Sequence, residues 1–303
     1  MASAIITNGG WKILLNRTFK ASPDYTPPSK FTVGISQATP QITDSSLTNE
    51  VPIEDGTVND DGSNTLTGST GGDNSTDNTT RYKEGGGTSD LTGQNLIAND
   101  TNVSKIWTIS NLATNGTVMT ATEPFSAWIY INDATALAKF ATSGTAIEIK
   151  LGSDSSNYYS KTWEASDLAT GWNYLDSGTT AVNALTETGT VSGNIDTFII
   201  EITTNNATDT FVAGDVVYDL LRQWATTDLV KTILAGYPTV NEGNYESEIR
   251  AFLDSTEGNG FDIDGVKYLN ADASPLTFFI SKHNSVSKSD TDEIEYQTVF
   301  RRE

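Results

Sequence analysis

The sequence predicts an all-β protein of antiparallel sandwich type with more than one core. Three observations carry that reading. Thr, Ser, Asn, Asp and Gly dominate the composition, and these residues suit short strands joined by many turns, because each satisfies or relaxes a turn backbone. Several segments alternate apolar and polar side chains with a period of two, most clearly Ile147, Ile149 and Leu151 against Glu148 and Lys150. Finally, the length of 303 residues exceeds what one hydrophobic core ordinarily serves.

Taken in order, the first fifty residues hold an apolar run at 11–15, then Phe19, prolines between Pro23 and Pro28, and the strand-like Phe31-Thr32-Val33-Gly34. They read as extended structure. Residues 56–94 are nearly free of large apolar side chains and carry Gly71-Gly72 and Gly85-Gly86-Gly87. Such a segment buries too little surface to offset its ordering entropy, so a flexible linker or extended loop is expected there. Residues 95–225 bring strand patterns at 126–131, 146–151, 197–203 and 215–224, separated by Gly, Asn, Asp and Ser turns. With no long helix between them, these predict an antiparallel jelly-roll-like domain rather than parallel βαβ units. Residues 226–235 predict a short connector helix, capped by Thr226 or Thr227 and stopped by Gly236 and Pro238. Alternation at 245–251 and 294–298, with apolar runs at 266–269 and 276–280 between them, predicts a four-stranded antiparallel unit at the end of the chain.

The charge balance narrows the function classes. Thirty-nine acidic against 18 basic residues leave a formal net charge of -21, a field that repels phosphate backbones and anionic lipid. Nucleic acid is therefore not an expected partner. No cysteine is present, which removes disulfides and thiol chemistry. The opening Met-Ala-Ser-Ala-Ile-Ile-Thr-Asn-Gly-Gly lacks a basic region followed by a long apolar one, and no apolar run approaches a membrane span. Neither signal-directed export nor membrane insertion is expected.

The search for reaction chemistry is negative, and no enzyme activity is expected. The single histidine, His283, has no Gly-x-Ser-x-Gly elbow to serve, and one histidine cannot make a two-histidine zinc site. No Gly-Lys-Ser/Thr follows a glycine cluster, so a phosphate loop is not expected. Asp262-Ile263-Asp264-Gly265 matches a fragment of a calcium loop, but its first position would be Gly260. The aromatic residues Trp128, Tyr130, Tyr158, Tyr159, Trp163, Trp172 and Tyr174 offer faces that suit pyranose rings. Of these, Tyr158, Tyr159 and Trp163 are the candidate glycan contacts, Trp163 because it stands beside Glu164 in a polar stretch.

Two resemblances add to this. The segment Ile13-Leu14-Leu15-Asn16-Arg17-Thr18-Phe19-Lys20, with Pro23-Asp24-Tyr25 and Phe31-Thr32-Val33-Gly34, is similar to the start of bacteriophage tail-fibre, neck or baseplate-associated proteins. Gly236-Tyr237-Pro238, Ile249-Arg250-Ala251-Phe252-Leu253 with Ser255-Thr256-Glu257, and Val286-Ser287-Lys288-Ser289 resemble later parts of the same domain. The likeness implies that residues 1–55 and 236–303 are two parts of one discontinuous virion-anchoring domain. The middle resembles jelly-roll modules of carbohydrate-binding and virion proteins, through Phe125-Ser126-Ala127-Trp128-Ile129-Tyr130-Ile131, Ile149-Lys150-Leu151-Gly152-Ser153-Asp154, Gly171-Trp172-Asn173 and Asp215-Val216-Val217-Tyr218-Asp219-Leu220-Leu221. That likeness implies a structural calcium at Asn99, Asp100 and Asp219. Together the resemblances imply a non-enzymatic structural protein on the exterior of a phage particle, assembled in the host cytoplasm. Its partners would be other virion proteins, in a homotrimer or on a symmetric ring. The alternative they imply is recognition of a host surface glycan.

Overall fold

The computed structural model describes residues 3–53, 57–83, 91–112, 119–121, 123–177, 185–223, 229–289 and 291–301. The chain is an all-β protein that divides into two compact units, one made of Met1–Asp55 with Asp228–Glu303 and the other of Gly56–Thr227.

The terminal unit is built on one six-stranded antiparallel sheet. Its spatial order is Ser3–Ile6, Thr277–Ser287, Asp262–Asn270, Pro28–Ile35 and Lys231–Thr232, with Asn49–Glu50 also paired to Pro28–Ile35. A second sheet joins Thr239–Asn241, Glu246–Leu253 and Ile294–Arg301. Phe300 bridges the two sheets, its ring edge-on to Phe279 at 5.2 Å and to Phe278 at 5.6 Å. The four strands expected at the end of the chain are all present, but they are split between these sheets. Burial explains the split: Asp262–Asn270 is covered on both faces, whereas Ile294–Arg301 alternates half-buried and exposed residues along its whole length.

The extended reading of the first fifty residues needs correction at 11–15. Residues Asn8–Phe19 form an α-helix, begun by Thr7, whose hydroxyl accepts the Gly10 N–H at 3.2 Å. A Cβ at Gly9 would stand 2.5 Å from the Thr277 carbonyl oxygen, and one at Gly10 would stand 2.1 Å from that of Phe278. These two glycines let the first helical turn lie directly on the backbone of a strand. Only Gly10 and Ile13 of the helix are buried. The connector helix over 226–235 is corrected as well. Lys231–Thr232 pairs with Phe31 and Lys30 as an edge strand, and a turn follows it; residues 226–228, with both proposed caps, lie outside the described residues, as does Trp224 at the end of the expected 215–224 strand.

The second unit is a two-sheet sandwich, antiparallel throughout its strand pairings. One sheet runs Thr186–Thr188, Asn157–Glu164, Thr145–Asp154, Thr197–Thr203, Ser104–Ser110 and Thr67–Ser69; the other runs Gly171–Asp176, Phe125–Ile131, Val216–Gln223, Gly93–Asn95 and Thr76–Asn78, with Thr57–Asp60 on Val216–Gln223. Inward side chains of both sheets form one core: Ile147, Ile149 and Leu151 meet Phe125, Ile129 and Tyr218 among others, and Phe198 lies 5.1 Å from the Tyr218 ring. On the outer face Glu148 and Glu201 are direct cross-strand partners. Lys150 sits between these like charges, 3.3 Å from one and 2.7 Å from the other.

The linker expected over 56–94 is corrected for its described residues, 57–83 and 91–94. Residue 56 and residues 84–90 lie outside the described residues, but 57–60, 67–69, 76–78 and 93–95 are strands of the sandwich. Leu66 is fully buried in its core. The segment is ordered by polar side chains in place of apolar ones. Ser75 Oγ accepts the Leu66 N–H at 2.7 Å and donates to Gln94 Oε1 at 2.7 Å, and Gln94 Nε2 donates to the Gly62 carbonyl at 2.8 Å and to Asp77 Oδ1 at 2.9 Å. Buried polar groups paired in this way do not incur the desolvation cost of unpaired ones.

Candidate functional site

The candidate glycan contacts all lie on strand Asn157–Glu164, and the pleat of that strand decides their fate. Tyr159 and Trp163 point into the sandwich, 7% and 9% exposed, and belong to its core. The Trp163 ring meets Phe125 edge-on at 6.5 Å. The expectation that Trp163 is exposed is therefore corrected: its neighbour Glu164 is exposed because successive residues of a strand face opposite sides. Tyr158 is half-buried on the outer face, with Lys150 Nζ 5.3 Å from its ring centre. The three aromatics do not form a common platform.

The candidate calcium ligands are also engaged separately. The Asn99 backbone N–H and Nδ2 both donate to Asp73 Oδ2, at 3.0 and 2.8 Å. Asp100 is exposed, and its backbone carbonyl accepts Lys105 Nζ at 2.5 Å. Asp219 is fully buried, and its Oδ2 accepts the Lys83 N–H at 2.6 Å. A Cβ on Gly62 would stand 2.2 Å from Asp219 Oδ1, so a glycine is required there, and its φ of +81° agrees. Beside it, Asp60 accepts the Tyr218 hydroxyl at 2.8 Å, Asn64 Nδ2 at 2.5 Å and the Gly62 N–H at 3.3 Å. Burial pushes the Asp60 carboxyl above the usual carboxylate range, against those hydrogen bonds. Calcium takes six to eight oxygens, whereas the Asp60 carboxylate and Asp219 Oδ2 accept from Gly62, Asn64, Lys83 and Tyr218, bonds that tie residues 60–83 to the Val216–Gln223 strand. Among the described residues, no three His, Cys, Asp or Glu side chains are grouped to hold a metal.

Two other groups were open to chemistry. The His283 ring lies 5.5 Å from that of Tyr296, tilted by 50°, with its Nδ1 2.7 Å from the Asn284 carbonyl oxygen, and its Nε2 makes no hydrogen bond. The outer face of the second sandwich sheet gathers Trp128, Tyr130, Trp172 and Tyr174. Cations close this face: Lys83 Nζ lies 4.3 Å from the Trp128 ring centre and 5.6 Å from that of Trp172, and the Arg81 guanidinium lies 4.6 Å from that of Tyr130. Trp128 is only 4% exposed as a result.

The open apolar surface is on the terminal unit, where the sequence reading placed no site residue. Trp11, Leu15 and Phe19 recur every fourth residue on the outer face of helix Asn8–Phe19 and are 47%, 54% and 81% exposed. Behind them a groove of about 520 Å³ is lined by Ile13, Leu14, Pro28, Pro238, Phe278 and Phe300. On its far side stand Val240 of the three-stranded sheet and Tyr245 of the turn before Glu246–Leu253, both exposed. The signal for this surface was the 11, 15, 19 spacing after Thr7, which a strand reading of residues 11–15 concealed. The chain matches no protein-family model, no curated protein and no solved structure.

Proposed function

We propose that this chain is a non-enzymatic structural protein of a bacteriophage particle, in which the terminal unit docks on other virion proteins and the inserted sandwich is displayed. The observation that carries the docking part is the exposed Trp11, Leu15 and Phe19 stripe beside an apolar groove. A contiguous apolar surface of this kind on a chain with net charge -21 is the ordinary mark of a protein contact. The virion itself is supplied by the resemblance of the terminal segments to tail, neck and baseplate proteins. The mechanism is surface complementarity: the helix stripe is desolvated against a partner, and no bond is made or broken. Glycan recognition through Tyr158, Tyr159 and Trp163 is the weaker reading, since two of those side chains are core.

The test is incorporation. Particles assembled with a Trp11→Asp, Phe19→Asp chain should lack the protein while the purified variant melts as the wild type does. Wild-type incorporation of that variant, or absence of the unaltered chain from purified particles, would refute the reading.

A further inference from the structure

A buried lysine meets a buried asparagine in the terminal unit. Lys288 and Asn259 are 2% and 1% exposed, and Lys288 Nζ donates to Asn259 Oδ1 and to the Ser289 carbonyl, each at 2.8 Å. With a carbonyl bond of about 1.2 Å, the amine nitrogen stands no more than about 4 Å from Asn259 Cγ, a small shift from the roughly 3–3.5 Å of a near-attack geometry. Asn259 Nδ2 donates to the Ser255 carbonyl at 2.7 Å, which leaves Oδ1 turned toward the lysine. Two backbone bonds hold the pair in register: the Gly260 N–H donates to the Lys288 carbonyl at 2.8 Å, and the Lys288 N–H to the Phe261 carbonyl at 3.0 Å. The first of these has a second effect. In an Asn-Gly sequence the glycine nitrogen is the ordinary attacker of the asparagine side-chain carbon, closing a succinimide, and here that N–H is engaged by Lys288.

We propose that Lys288 and Asn259 join in an intramolecular isopeptide bond. The Lys288 ammonium first gives one proton to a neighbouring carboxylate, and burial favours the uncharged amine that results. Two carboxylates are within electrostatic reach. Hydrogen bonds from Ser289 hold the Asp292 carboxyl below the usual carboxylate range, with the Lys288 charge acting in the same direction, and Asp254 is lowered by its Thr256 hydrogen bonds and by Lys231 and Lys288. The amine nitrogen then bonds to Asn259 Cγ and the bond from Cγ to Nδ2 breaks. Nδ2 leaves as ammonia with a second proton from the amine and takes up the first as ammonium. Nothing is oxidised or reduced, and the fold drives the step by holding the two groups together. The bond ties the turn after Glu246–Leu253 to the end of Thr277–Ser287, and encloses the paired strands Asp262–Asn270 and Thr277–Ser287 in one covalent loop. In a chain without cysteine it takes the place of a disulfide, restricting the unfolded chain in the same way while resisting reductant. It is independent of the docking reading.

Mass spectrometry of the purified full-length chain tests the bond. The intact wild type should be lighter than its sequence, with or without Met1, by the mass of one ammonia, and Lys288→Arg should show its full sequence mass. Because a succinimide loses the same ammonia, a tryptic map decides between them: residues 251–267 and 283–301 should run as one branched peptide, uncut at Lys288. The map is read on the wild type and stands whether or not the variant folds. A wild type of full sequence mass overturns the inference, as does ammonia loss with 251–267 recovered as a linear peptide, or ammonia loss that persists in Lys288→Arg.

Discussion

Replacing residues 56–227 by a Gly-Ser linker of about eight residues should leave a terminal unit that folds by itself, and the pairing of one strand shows why. Along the same edge of Pro28–Ile35, Asn49 and Glu50 pair with Ile35 and Gly34, the Val51 N–H donates to the Val33 carbonyl at 3.1 Å, and Lys231 and Thr232 pair with Phe31 and Lys30. Val51 and Lys231 thus stand opposite residues two apart, a span of about 7 Å at ordinary strand rise. The departing and returning chains are the two halves of one interrupted edge strand. Ile53 is 2% exposed, and its carbonyl accepts the Gly258 N–H at 2.7 Å, so the cut must come after it. Exchanging a connection of roughly 170 residues for about eight lowers the closure cost by at most (3/2)RT ln(170/8), about 2.7 kcal/mol. That figure is an upper bound, because a folded insert already holds its own ends and resembles a short loop more than a free coil. The shortened chain should be soluble, melt in a single cooperative transition by circular dichroism, and give dispersed amide resonances. An unfolded or aggregated product, with residues 229–303 folding on their own, would refute the interrupted-strand argument.

Three further outcomes follow from single side chains. Trp163→Ala should destabilise the sandwich by about 3 kcal/mol, at the lower end for a buried aromatic because 9% of it is exposed; in chemical denaturation Tyr158→Ala should cost clearly less, and equal costs would remove the inward assignment of Trp163. Gly10→Ala gains about 1 kcal/mol of helix propensity but sets a Cβ 2.1 Å from the Phe278 backbone oxygen, so the steric cost wins and the terminal unit should melt lower; a higher midpoint would contradict the close helix-strand approach. Burial raises the Asp60 pKa in the folded chain, so the folded state holds that proton more tightly than the unfolded one. Its contribution to stability is therefore fully present below the unfolded value near about 4 and is lost as pH rises through the folded value. Asp60→Asn should remove that part of the pH dependence, and wild-type and variant denaturation curves that shift in parallel between acid and neutral pH would count against it.

How much of the fold was legible depended on whether apolar spacing or polar bonding ordered each segment. Strand Thr145–Asp154 could be read because Ile147, Ile149 and Leu151 are core while Glu148 and Lys150 are half-buried and ion-paired on the outer face, so the period of two is written in the side chains. Residues 57–83 could not, because their order rests on Ser75, Gln94, Asp60 and Asp219 accepting and donating over separations of up to 158 residues. Asn, Asp, Ser and Gly have the same composition in a loop and in a polar-bonded strand. Only the partners distinguish them, and those partners are remote in sequence. The same limit hid the helix Asn8–Phe19: five residues of apolar run suit either period, and the deciding Gly9 and Gly10 act through Thr277 and Phe278 at the far end of the chain.

The candidate sites failed for a related reason, which bears on where binding is to be sought. Trp163 was judged by its sequence neighbours, yet in a sandwich the polarity of residue i+1 argues for burial of residue i. A tryptophan beside a glutamate on an alternating strand is more readily core than surface. Aromatic richness in the inserted unit is accordingly spent on packing, as Trp163 against Phe125 and Trp128 beneath Lys83 illustrate. The exposed large side chains are instead on a helix whose sequence is unremarkable in aromatic count but sets Trp11, Leu15 and Phe19 one turn apart on its outer face. Recognition by this chain is thus expected at the discontinuous unit, where substitutions at exposed positions should alter assembly without altering the fold.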